Sequence, residues 1–237
     1  MTDPFFRLYQ GLDREGPGEP ADVAWAADIV GLKPDARTCD AGCGSGADVP
    51  ALLAAAPQGH VTAVDSHKPF IDELMLRVGL DRRVTAYAGN MAKLKGPFDL
   101  IWSAGALYFL GITKGLKAWR PALAKGGAVA FSEPCWFSDA PSDGARAFWM
   151  GEYPTITDAD GVDARVRAAD FETVAVRRLS DAAWQAYYTP LQARIDALRP
   201  GADDALSAVL DAAQTEIDLW PRAKADSGYL LCVVRPV

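Results

Sequence analysis

An α/β fold on a mostly parallel sheet is what this sequence predicts, from three observations. Short apolar segments recur between residues 36 and 133, each is bounded by Gly, Pro, Asp or Asn, and the stretches between them are long enough for crossover helices. Strands that alternate with helices pair in parallel through right-handed connections, and both faces of such a sheet are covered. Ligands bind these sheets at the carboxyl ends of the strands, where the strand order reverses.

The strands are expected at 36–41, 60–65, 83–88, 98–103 and 127–133, all rich in Val, Ala, Ile and Phe, with crossover helices over 46–56, 68–79 and 112–124. After the fifth strand the pattern changes. Residues 134–160 carry Trp136, Phe137, Phe148, Trp149 and Tyr153 among several turn formers, which reads as an inserted cover rather than a plain helix. A helix near 158–169 then leads to a strand at 171–178, and GYLLCVVRPV forms the last strand. The connection between these two strands includes a helix over about 203–220, in which Leu206, Val209, Leu210, Ala213, Ile217 and Trp220 recur at helical spacing. Antiparallel strands need only a short loop, so this long connection is expected to be a lid or an oligomer surface, the latter making a homodimer. The expectation is one domain over 1–237, with a core at about 30–133, 158–180 and 227–237 and lid insertions at about 134–157 and 181–226.

Bulk composition narrows the function. Of 237 residues 50% are hydrophobic and 23% charged, enough to bury a sizeable core. The net charge of −7 and the lack of a basic cluster count against a nucleic-acid partner, whose affinity rests on Lys and Arg neutralising phosphates. Cys39 and Cys43 share one segment while Cys135 and Cys232 lie far off, so no zinc pair or disulfide framework is visible, and a reducing cytoplasm fits. No run approaches the roughly 18 apolar residues of a membrane span.

The strongest local signal is TCDAGCGSG over 38–46, a strand that runs into a glycine turn and then a helix. Its Gly-x-Gly-x-Gly spacing, preceded by Asp40, is not the Gly-x-Gly-x-x-Gly that seats a dinucleotide pyrophosphate on a helix N-terminus. A carboxylate at Asp40 discourages a phosphate, whereas it helps to hold the ammonium of an aminoacyl group. One strand later Asp65 stands about twenty residues beyond the turn, where an acid accepts hydrogen bonds from both ribose hydroxyls. At the third strand end Asn90 suits the adenine amino edge and Met91 its face. Taken singly, each element is also a tight turn, a helix cap or a core side chain; their order and spacing together are hard to explain that way.

With these motifs the chain resembles the class I S-adenosylmethionine-dependent methyltransferases, on TCDAGCGSGAD, VTAVDSH, AYAGNMAKL, FDLIWSAGALYFLG and LAKGGAVAFSEPCWF. The match is strong over roughly 36–135, and the later segments look like a bacterial branch that acts on small molecules. The resemblance implies a Rossmann-like seven-stranded sheet of order 3-2-1-4-5-7-6 with the last strand antiparallel. It also implies that Asp40, Gly42 and Gly44 border the aminoacyl part of S-adenosylmethionine, Asp65 and the adjacent Ser66 its ribose, Asn90 and Met91 the adenine, and Ser103 the methionine backbone. Two positions depart from relatives: Asn90 stands where many carry Asp, and Ala104 where the closer branch tends to carry Glu. The segment Arg14-Glu15-Gly16-Pro17-Gly18 resembles that branch too, as a stretch that folds over the cofactor or forms a surface loop.

A sulfonium is already a strong methyl donor, so alignment of the acceptor and exclusion of water are the main catalytic devices, and no metal is required. A hydroxyl or ammonium acceptor additionally needs a base. Glu133 at the end of the fifth strand is the first candidate, with a loop cap as its alternative, and Tyr108 is the second. The aromatic residues of the two insertions can line an apolar pocket or hold an amine, and Trp136, Trp149 and Tyr188 are the expected substrate-side residues. Rival readings are an NAD-dependent oxidoreductase and a non-catalytic S-adenosylmethionine-binding protein.

Overall fold

The computed structural model describes residues 3–237. Its strands are β1 (Arg37–Ala41), β2 (His60–Asp65), β3 (Val84–Ala88), β4 (Phe98–Ser103), β5 (Leu123–Trp136), β6 (Phe171–Arg178) and β7 (Ser227–Pro236). They form one sheet in the order β3-β2-β1-β4-β5-β7-β6. β1 to β5 pair in parallel, and β7 runs antiparallel to both its neighbours. Four of the five residues of β1 are buried, as befits a central strand with helices on both faces. The edge strand β6 instead alternates between covered and open positions, because only one of its faces is packed.

β5 is longer than the 127–133 expected. Gly126 takes a φ of +79°, and the register slips between Phe98 and Leu100, so pairing with β4 begins at Leu123. The far half of the strand pairs with β7 as far as Trp136 opposite Ser227. Trp136 therefore ends a strand and does not belong to the inserted cover.

The helices are α1 (Pro4–Tyr9), α2 (Pro20–Val30), α3 (Val49–Ala55), α4 (Lys68–Val78), α5 (Ile112–Trp119), α6 (Asp143–Glu152), α7 (Ala159–Arg167), α8 (Asp181–Leu198) and α9 (Asp204–Ala223). On one face α2, α3 and α4 bury Val23, Leu52 and Leu74 against Trp102 and Leu231. On the other, α5 and α7 bury Leu116, Trp119 and Val166 against Phe131 and Phe171. A third cluster joins α1, α8 and α9 through Leu8, Trp184, Tyr187, Leu191, Leu206 and Leu210. α2 is not among the helices expected from the apolar pattern, yet its ends are well defined: Pro20 opens it, Glu19 and Asp22 cap each other, and Gly31 closes it at a φ of +65°. No helix among the described residues is long and apolar enough to cross a membrane.

Candidate functional site

The site begins where β1 ends. The chain turns through Gly42, Gly44 and Gly46 at φ of +78°, +51° and +87°, a region that side chains rarely tolerate. Space forbids them as well: a Cβ on Gly42 would lie 2.4 Å from the Ala106 methyl, and one on Gly44 2.0 Å from a Glu15 carboxylate oxygen. The N–H groups of Gly42 and Cys43 donate to the Val64 carbonyl at 2.8 and 3.1 Å, which ties the turn to the end of β2.

Carboxylates surround this turn. Asp65 accepts from the Gly44 N–H at 3.0 Å with one oxygen and from the His67 N–H at 2.7 Å with the other. Asp40 is 2% exposed, and burial, followed by the charges of Asp48 and Asp65, raises its carboxyl well above the usual range. Asp48 is paired with Arg14 at 2.6 Å and accepts from the Trp102 indole at 2.8 Å. Glu15 comes from the strap between α1 and α2. Both its oxygens accept from the Ser45 N–H, at 3.1 and 3.2 Å, and burial pushes it up to about 7.

These groups face one cavity of about 900 Å³. Asp40, Gly42, Gly44, Asp65, Ser66, Asn90, Met91 and Tyr108, all singled out from the sequence, lie on its wall. The Asn90 carbonyl accepts from the Ala92 N–H at 2.8 Å, so its amide nitrogen is the end left for a ligand. Arg14, Glu15, Gly16 and Pro17 also line the cavity, so this strap is a wall and not a surface loop. His67 stacks on Phe6 at 3.5 Å between ring centres, and both rings are on the wall.

Five expected site residues lie elsewhere. Ser103 is fully buried and donates to the Ala41 carbonyl at 2.8 Å, so its side chain braces β4 against β1 and leaves the wall to Ala104 and Gly105. Glu133 is fully buried off the wall. One of its oxygens accepts from the Tyr153 hydroxyl at 2.6 Å, the other has no partner, and burial pushes the carboxyl up to about 7. Trp149 and Tyr188 are satisfied within the helical cover, the indole by Ser227 at 2.8 Å and the phenol by Glu216 at 3.0 Å. Both border a crevice of about 20 Å³, too small for a substrate. Trp136, at the end of β5, lines neither space. The rings that do wall the cavity include Phe5, Phe70 and Tyr229, which none of the motifs marks, and Phe109, which lies in the FDLIWSAGALYFLG motif without having been singled out.

Residues 39–127, which hold the turn, the acids and the β4 exit loop, match a family model described as a methyltransferase domain. Over these residues the chain is similar to methyltransferase domains. Its whole length follows the same architecture in solved structures. A methyltransferase from Geobacter sulfurreducens in complex with S-adenosyl-L-homocysteine is 19% identical at a TM-score of 0.82, over 100% of this chain and 99% of that one. The corresponding complex from Thiobacillus denitrificans is 17% identical at 0.79 over 100% and 99%, and YjhP of E. coli is 19% identical at 0.81 over 99% of each chain. No curated protein sequence matches the chain. The matched segment supplies the sheet edge of the cavity, while α1, the strap and Tyr229 close it from outside that segment.

Proposed function

We propose that this protein binds S-adenosylmethionine in the cavity and transfers its methyl group to an O, N or C atom of a small molecule. The observation that carries this reading is the wall beside the glycine turn, where Glu15, Asp40, Asp48 and Asp65 stand against Arg14 alone. A negative wall of that kind fits the cationic ammonium and sulfonium of S-adenosylmethionine and repels the pyrophosphate of a nicotinamide dinucleotide. The space is sufficient too, since sites for molecules of this size occupy about 300–1,000 Å³.

Asp65 would exchange its two N–H donors for ribose hydroxyls, Asn90 would offer its amide to the adenine, and Asp40 would hold the ammonium. Because burial raises Asp40 and Glu15, an incoming cation draws both toward the ionised form, and cofactor binding releases protons. When bound, S-adenosylmethionine supplies an electrophilic methyl group on a sulfonium. The chain's contribution is to orient the acceptor beside Ala104–Ala106 and to exclude water with Tyr108, Leu110 and Tyr229. Glu133 does not reach the wall and so does not act as a base in direct contact with the acceptor.

That last point favours one second reading, a non-catalytic S-adenosylmethionine-binding protein: no carboxylate lines the β4 side of the cavity, and Ala104 stands where an acid is common in similar proteins. Incubation with methyl-labelled S-adenosylmethionine and a metabolite panel separates the two. Acceptor-dependent release of S-adenosylhomocysteine is the expected result, and tight cofactor binding with no release from any acceptor would favour the second reading.

A further inference from the structure

Charge is confined to one end of the cavity. Among the described residues on its wall, the charged side chains are Arg14, Glu15, Asp40, Asp48 and Asp65, all from the strap, the glycine turn or the ends of β1 and β2. The other end is formed by Tyr108, Phe109, Leu110 and Tyr229. Burial holds both tyrosines in the neutral phenol form, Tyr108 at about 12 and Tyr229 well above its ordinary value. Of the carboxyls whose charges act on them, Glu133 and Glu216 are tied to the Tyr153 and Tyr188 hydroxyls, and neither these two nor Glu152 lines the cavity.

The two wall tyrosines also differ from the other tyrosines of the interior. Tyr9 and Tyr187 bond each other at 2.9 Å, Tyr153 bonds Glu133 and Tyr188 bonds Glu216. The hydroxyls of Tyr108 and Tyr229 have no hydrogen-bond partner among the described residues, although both face the cavity. Both residues are half-buried on the cavity wall, so a ligand there meets two neutral phenols that no protein group engages. The rim beside Tyr108 is apolar, since Phe109 packs on it at 4.2 Å between ring centres and is 73% exposed on the cavity edge.

We infer that the methyl acceptor is an uncharged molecule with an apolar ring body, held at its polar atom by the hydroxyls of Tyr108 and Tyr229 and along its ring by Phe109 and Leu110. An anionic acceptor would find no free cation at this end, since Arg14 is paired with Asp48 at the other. An ammonium would find rings but no carboxylate within the wall. The inference rests on the S-adenosylmethionine reading, which assigns the charged end to the cofactor and leaves the apolar end to the acceptor.

The test uses three probes that share one ring system and differ in charge: 2-naphthol, 2-naphthoate and 2-naphthylmethylammonium. Calorimetry first measures uptake of S-adenosylhomocysteine, and each probe is then titrated into the loaded protein at pH 7. The expected order places 2-naphthol at least about tenfold tighter than either ion, a difference of about 1.4 kcal/mol. Tyr108→Phe and Tyr229→Phe should each weaken 2-naphthol several-fold, and Phe109→Ala likewise, with S-adenosylhomocysteine affinity unchanged in all three. Equal or tighter binding of an ion, no binding of any probe to the loaded protein, or naphthol affinity indifferent to both tyrosines would overturn the inference and leave the cofactor reading standing. Failure to take up S-adenosylhomocysteine would bring down the cofactor reading and this inference with it.

Discussion

The two ends of the cavity are made in different ways. Beside β1 and β2 most of the wall is a local structure: the positive-φ Gly42 and Gly44, two strand ends and Asp40, Asp48 and Asp65 all fall within residues 40–65, and only the strap is added from outside. At the far end Tyr108 comes from the β4 exit and Tyr229 from β7, so that wall is a product of tertiary packing. A turn that needs left-handed backbone leaves its mark in consecutive residues. A wall assembled from distant segments leaves a fainter one. The contrast teaches that the glycine-turn end of the cavity is written in a local motif and the tyrosine end in the pairing of the sheet.

The largest expected effect comes from Gly42→Ala, which attacks the local end. With a φ of +78° and the Ala106 methyl 2.4 Å from the new Cβ, the turn must shift. S-adenosylhomocysteine binding should fall below detection, with a loss of about 2 kcal/mol that lowers Tm by roughly 4–8 °C. Unchanged affinity would mean that the turn does not approach the ligand. Asp65→Ala should be milder. Cofactor affinity drops roughly 10- to 100-fold, the range for hydrogen bonds to a charged group, while Tm stays near that of the parent; unchanged affinity by calorimetry would remove Asp65 from the ribose.

The cover should respond in the opposite sense. Trp149→Phe removes the bond to Ser227 and should cost about 1 kcal/mol in urea unfolding, with cofactor affinity unaltered. If binding falls and stability holds, the cover reaches the cavity and the contrast between the two ends fails.

The smallest effect is a slope with pH. Glu15, Glu133 and Glu216 are each pushed up to about 7 from an ordinary value of 4.5. The folded form therefore holds more protons than the unfolded chain between those values. The stability these groups contribute is complete below about pH 4.5 and is lost as pH rises through about 7. Glu133→Gln keeps a partner for Tyr153 and should flatten the fall of Tm between pH 5 and 8 in the cofactor-free protein. An unaltered slope would show that Glu133 is not held protonated.

Much of the fold was legible in the sequence because strand boundaries carry turn residues: β2, β4 and β6 begin and end where the apolar runs do. The strand order followed from the family resemblance and is the order observed. The pattern was weaker where structure depends on partners. β5 runs on to Trp136 because β7 is there to pair with it, and no local feature of Pro134-Cys135-Trp136 announces that. α2 was readable in principle from Pro20, the mutual cap of Glu19 and Asp22, and Gly31, but its Ala-rich stretch gives a faint apolar stripe. In the site, the residues assigned to the cofactor lie on the wall with the exception of Ser103, whereas Glu133 and the residues chosen for being aromatic do not. Aromatic type marks burial, and Trp149 and Tyr188 are buried in the cover's own core beside Trp184 and Trp220, whose rings stack at 3.9 Å.

The central claim is that an acid-walled glycine turn selects a cationic nucleoside over a pyrophosphate-bearing one. Calorimetric titration of the unmodified protein with S-adenosylmethionine and, separately, with NAD+ tests it directly. The account predicts one S-adenosylmethionine bound per chain with release of protons, and no heat from NAD+. Saturable binding of NAD+ with none of S-adenosylmethionine would contradict it.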